Sequence, residues 1–106
     1  MRKFTVNLMN AINEGRDKIV VGNHKMERRG NKIALFYHNN MIMLINEEDD
    51  TIVVDDCGYA TSSTTQAINS HIEGIREILY INHKHMEKVD LSYNQRFIRK
   101  MQMLLS

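Results

Sequence analysis

The chain has 106 residues, 42% hydrophobic and 25% charged, with a single cysteine and no proline or tryptophan. That length suits one domain around one modest core, and the balance excludes a disordered or low-complexity chain. A lone Cys57 excludes an intrachain disulfide and a thiolate zinc cluster, and the longest apolar runs, IALFY and MIMLI, are far shorter than the roughly 20 residues of a membrane helix. With no signal-peptide pattern at the N-terminus, the expected location is a reducing cytoplasm, with no membrane partner.

Net charge is only +1, but it is unevenly spread. Residues 1–32 carry eight Lys/Arg and three Asp/Glu (+5), residues 33–75 carry seven Asp/Glu and no Lys or Arg (−7), and residues 76–106 carry six Lys/Arg and three Asp/Glu (+3). Two basic ends flank an acidic middle, which gives either opposed surface patches or internal neutralisation.

In chain order, Phe4, Leu8, Ala11 and Ile12 recur at helical spacing and Gly15 suits a C-cap, so residues 1–15 read as an N-terminal helix. Residues 16–57 read as an antiparallel β-meander of four or five strands. DKIVV is extended, Gly22-Asn23 turns the chain, and NHKMERR is a strand with Met26 inward and its charges outward. Gly30-Asn31 makes the next turn. KIALFYH alternates Ile33, Leu35 and Tyr37 against Ala34 and Phe36, and Asn39-Asn40 supplies a two-residue turn. MIMLIN then sets Met41, Met43 and Ile45 against Ile42 and Leu44, and an EEDD turn leads into TIVVD. Both faces of the central strands are apolar, so one face packs a helix and the other a second helix or a partner.

Residues 58–79 form a Thr-rich turn and a helix whose stripe is Ile68, Ile72, Ile75 and Leu79, widened by Ala67, His71 and Ile78. Ser63 followed by Gln66 predicts a capping box. Gly74 inside this helix implies a close approach to the sheet. Residues 80–91 form a connector, and residues 92–105 a last helix with Phe97, Met101, Leu104 and Leu105 on its apolar side. Apolar residues beyond that stripe, Met103 among them, allow a homodimer through this helix. The expected class is α+β, a single domain over residues 1–106 with one N-terminal and two C-terminal helices.

Three groups of residues are candidate sites. Glu47, Glu48, Asp49, Asp50, Asp55 and Asp56 could present a negative surface to a basic groove, carboxylates standing in for nucleic-acid phosphates. Thr61, Ser62, Thr64 and Thr65 exceed what one helix cap requires, so they could hold an anion or other small ligand at a helix N-terminus; Asp55 and Asp56 would oppose an anion there. Arg28, Arg29, Arg96, Arg99 and Lys100 could contact nucleic-acid phosphates. No catalytic set is recognisable, because no His, Lys or acid stands at a spacing that marks a base for the hydroxyls. The His83-Lys84-His85 pair lacks partner ligands, so no metal and no cofactor are expected. His71, on the helix stripe, reads as a hydrogen-bonded core histidine, and Cys57 as a small buried residue.

The run CGYATSSTTQAINSHI, through Gly58, Tyr59, Thr61, Thr64, Thr65, Ile68 and Asn69, resembles a small domain of unknown function found in bacteriophages and prophages. There a compact antiparallel sheet ends in a Gly-aromatic turn, and a Thr-rich start leads into a helix carrying an Ile-Asn pair. The likeness covers roughly residues 16–75. It departs in one extra residue in the Thr run and in Ala67, where the family often carries a basic residue. The resemblance implies phage origin and supplies no catalytic residues. The resulting expectation is a non-enzymatic phage accessory protein, cytoplasmic in the bacterial host, that binds and inhibits a host defence nucleoprotein complex in the manner of anti-CRISPR proteins. The alternatives are a nucleic-acid-binding regulator using the basic ends and a small-ligand or nucleotide binder at the Ser/Thr turn.

Overall fold

A computed structural model describes residues 1–48, 51–58 and 61–79. The order of elements is α1 (Lys3–Asn13), β1 (Lys18–Val21), β2 (His24–Arg29), β3 (Lys32–Tyr37), β4 (Asn40–Asn46), β5 (Thr51–Val54) and α2 (Ser62–Gly74), which runs on into a π-helical segment, Ile75–Leu79. The fold is α+β: a five-stranded antiparallel meander in the order β1-β2-β3-β4-β5, with one helix before it and one after it. The predicted helix over residues 92–105 lies outside the described residues.

Short turns set the registers. Gly22 (φ +60°) and Gly30 (φ +59°) open the first two hairpins in a left-handed conformation that costs glycine little. The third turn is His38-Asn39 rather than the predicted Asn39-Asn40, because Tyr37 pairs with Asn40 and both His38 (φ 49°) and Asn39 (φ 63°) are left-handed. Two consecutive positive φ angles are what a tight hairpin matching strand twist demands, and both residue types tolerate them.

A bulge follows immediately. Leu35 pairs with Met43 but Phe36 pairs with Met41, so Ile42 is the extra residue on β4. The alternation expected for MIMLI therefore fails at its start. Met41 lies beside Phe36, on the face opposite Met43 and Ile45, and Ile42 is re-aimed into a cavity on the helix side.

The core gathers Met26, Ile33, Leu35, Met43 and Ile45 from the sheet with Leu8, Met9 and Ile12 from α1 and Ile68, Ile72 and Ile75 from α2 and its extension. Helix α1 stops in a Schellman arrangement: Arg16 N donates to Ala11 O and Gly15 N to Ile12 O, with Gly15 at φ +77°. Its buried face includes Thr5 and Met9, which the apolar stripe did not mark, while Phe4 is only half-buried.

Arg28 departs from the expected outward charges of β2. Its guanidinium donates to Ile12 O at 3.0 Å and pairs with Glu47, strapping the end of α1 to the β4–β5 turn. Gly74 serves a helix–helix approach, not the helix–sheet approach expected. A Cβ there would collide with Thr5 Cγ2 and stand 3.0 Å from Met9 Cγ, both on α1.

Candidate functional site

The bulge, the His38-Asn39 turn and the start of α2 converge on a cavity of about 450 Å³ lined by Tyr37, His38, Asn40, Ile42, Asp56, Thr61, Ser63 and Thr64. Its floor is made by local chemistry. After β5, Asp55 Oδ1 accepts from Cys57 N at 2.8 Å and Asp56 Oδ1 accepts from Gly58 N at 3.0 Å. These are Asx turns, and they hold Cys57 (φ 56°) and Gly58 (φ 82°) in left-handed conformations. The Cys57 thiol donates to Met41 O at 3.1 Å, tying this turn to the bulged strand. Burial, with Asp55 and Asp56 beside it, pushes the thiol up to about 11, so it stays protonated and is no nucleophile at neutral pH.

The chain then enters α2 two residues earlier than predicted. Thr61, not Ser63, is the N-cap: its Oγ1 accepts from Thr64 N at 3.3 Å and donates to Thr64 Oγ1 at 3.1 Å. Gln66 does not close a box on Ser63. Its amide donates to Ser62 Oγ at 3.2 Å while its oxygen accepts from Arg2 at 2.8 Å. The expected surplus hydroxyls thus divide. Thr61 and Thr64 bond each other at the cavity wall and Ser62 bonds Gln66, whereas Ser63, expected as the cap, lines the cavity and is exposed. Thr65 is half-buried and does not line it.

Among the described residues the acidic group does not assemble as a surface. Asp55 and Asp56 are 5% and 3% exposed and serve the turns just described. Glu47 pairs with Arg28, Glu48 is exposed at the hairpin tip, and Asp49 and Asp50 lie outside the described residues. A buried carboxylate cannot present itself to a macromolecule, so the expected six-residue negative patch is corrected. Asp56 instead brings its charge to the cavity wall. Among the basic candidates, Arg28 is taken up structurally and Arg29 is exposed at the end of β2; Arg96, Arg99 and Lys100 lie outside the described residues.

Beside the cavity runs a column of rings. Phe4 stacks on His24 (3.8 Å between centroids), His24 on Tyr37 (4.8 Å), and His71 stands edge-on to His24 (6.0 Å). His71 is wholly buried, as its place on the stripe suggested, and its Nδ1 is 2.9 Å from Thr5 Oγ1. Thr5 Oγ1 lies 2.7 Å from Ser70 Oγ, which in turn accepts from Arg2 N at 3.0 Å. Either His71 tautomer leaves Nε2 without a partner among the described residues, and His24 Nδ1 is likewise unpartnered. Burial, then the neighbouring His24, lowers the His71 pKa from 6.5 to about 3; burial and His38 lower that of His24. Both imidazoles are therefore held neutral.

The cavity wall thus offers hydroxyls, a phenol, an imidazole, an amide and one carboxylate, with no Lys or Arg among its described lining residues. Among the described residues no group of three or more His, Cys, Asp or Glu could hold a metal ion, and no helix is long and apolar enough to cross a membrane. Comparison with protein-family models, with curated proteins and with solved structures gives no match.

Of the residues that line the cavity, Tyr37, His38, Asn40, Ile42 and Ser63 were not among the candidate site residues. Only the turn signal at Asn39-Asn40 and the expected cap at Ser63 pointed near them. The bulge that turns Ile42 inward has no signature in the string MIMLI.

Proposed function

We propose that the chain is a small binding protein whose ligand occupies the cavity between the β3–β4 turn and the N-terminal end of α2. One observation carries this reading: three separate segments contribute polar groups to a single concave space of about 450 Å³, within the usual range of small-molecule sites. Asp56 and the absence of a lysine or arginine at the described wall argue against a phosphate. The chemistry suits a ligand rich in hydroxyl or amino groups, which Asn40, Thr61, Ser63 and Thr64 can hydrogen-bond. On this reading the ligand sits at the Ser/Thr turn, but is not the anion first considered there.

Inhibition of a host defence complex through an acidic surface draws its support from the phage-like motif, while the burial of Asp55 and Asp56 removes two of its six carboxylates. Capture of such a complex from host lysate by the full chain, weakened by Glu48→Lys, would restore that reading.

Thermal-shift screening tests the cavity. Nucleosides, sugars and amines should include a stabiliser, and inorganic phosphate should not be one; a ligand at a hundredfold excess over Kd adds about 2.7 kcal/mol. Ser63→Trp, at an exposed position on the wall, should abolish the shift. A stabiliser unaffected by that change, or no stabiliser at all, would count against the reading.

A further inference from the structure

The face of the sheet turned away from α1 and α2 has a character of its own. Ala34, Phe36, Met41 and Leu44 floor a groove of about 250 Å³ whose walls are completed by Glu27, Arg29 and Lys32. The strand registers put Lys18 opposite Glu27, and Lys25 opposite Phe36, on this same face. Among the described residues, three cations therefore surround this one carboxylate. Glu27 lies 3.8, 3.6 and 3.6 Å from Lys18, Lys25 and Arg29, so a single negative charge is shared among three positive ones. The side chains of Lys18 and Arg29 remain 61% and 83% exposed.

We propose that this groove docks an acidic peptide segment of a protein partner, which sets one bulky apolar side chain on Phe36, Met41 and Leu44 and its carboxylates against the cationic rim. Charge complementarity selects the sign of the partner. The floor selects its kind. A groove this small is filled by one or two side chains, and Met41 is an adaptable wall for them. Single-stranded nucleic acid shares the charge but needs stacking platforms. The floor has one aromatic ring, and the Lys25 ammonium already sits 4.4 Å from its centroid. The bulge at Ile42 creates this surface, because it is what places Met41 beside Phe36.

The test uses the full chain and fluorescence anisotropy with a short labelled peptide of Asp and Glu around a central Leu. Binding is expected at low salt, weakening as salt rises and lost when the central Leu is replaced by Ser. Arg29→Glu and Lys18→Glu, both at exposed positions, should each weaken binding about tenfold or more, with unchanged circular dichroism showing that the fold survives. Preference for a single-stranded oligonucleotide would overturn the proposal. So would self-association of the chain abolished by Arg29→Glu, or no peptide binding to the full chain.

Discussion

Helix α2 uses short polar side chains at two places, and the two uses differ. At its N-terminal end Thr61, Ser62 and Ser63 are exposed, and the bonds there span three or four residues: Thr61 to Thr64, Ser62 to Gln66. Two turns later Ser70 and His71 are buried, and their partner is Thr5, 65 and 66 residues away in sequence. At the first place water can replace any lost bond. At the second it cannot, so a missing partner leaves a buried polar group unsatisfied. Tolerance for change should therefore be high where ligand binding is proposed and low at the junction with α1.

The largest expected effect is steric. Gly74→Ala drives a methyl into Thr5 and Met9 across the helix junction, and should cost about 3 kcal/mol in chemical denaturation, near the top of the usual range for overpacking. A gain of about 1 kcal/mol, as for an exposed helical Gly→Ala change, would show that the two helices separate easily.

Thr5→Val keeps the shape but strands His71 Nδ1 and leaves Ser70 Oγ with only the Arg2 amide. A loss of about 2 kcal/mol is expected, with the unfolding midpoint shifted and the denaturant slope unchanged.

Acid should act on the same junction. The folded-state pKa of His71 lies below the ordinary imidazole value of 6.5, at about 3, so the unfolded chain binds a proton that the folded chain excludes. Its contribution to stability is complete above pH 6.5 and falls by about 1.4 kcal/mol per pH unit between 6.5 and 3. From pH 6.5 to pH 5 His71 should thus cost the fold about 2 kcal/mol, with His24 adding to the loss in the same direction. Stability measured against pH should show this slope, and His71→Gln should flatten it.

The smallest effects belong to the N-terminal end. Thr61→Ala removes the cap and should cost about 1 kcal/mol, and Ser63→Ala, exposed and not a cap, should stay within about 0.5 kcal/mol. A Ser63 effect larger than that of Thr5 would invert the comparison.

The same division separates what could be read from the chain from what could not. The meander was legible because its signals are local: glycines where φ is positive, alternation along KIALFYH, and the change of period after the Thr run. The shift of the third turn from Asn39-Asn40 to His38-Asn39 shows the limit, since adjacent left-handed-tolerant residues offer two registers and cross-strand pairing chooses between them. His71 was legible as a core histidine from its place on an apolar stripe. Its partner Thr5 was not, because a threonine weakens a helix start by propensity and nothing local says that α2 will cover it.

By itself, then, the sequence determined the described elements and their order, since hydrophobic period and turn chemistry act over a few residues. Tertiary structure alone decided which charges are on the surface and which hydroxyls are spare. Asp55, Asp56 and Arg28 read as surface groups until the turn after β5 and the end of α1 claim them. Met41 reads as a residue of the helix-facing side until a bulge moves it to the other. Burial depends on what arrives from elsewhere in the chain, and the energetic cost of leaving a buried polar group unpaired then settles which candidates the fold consumes and which it leaves free to bind.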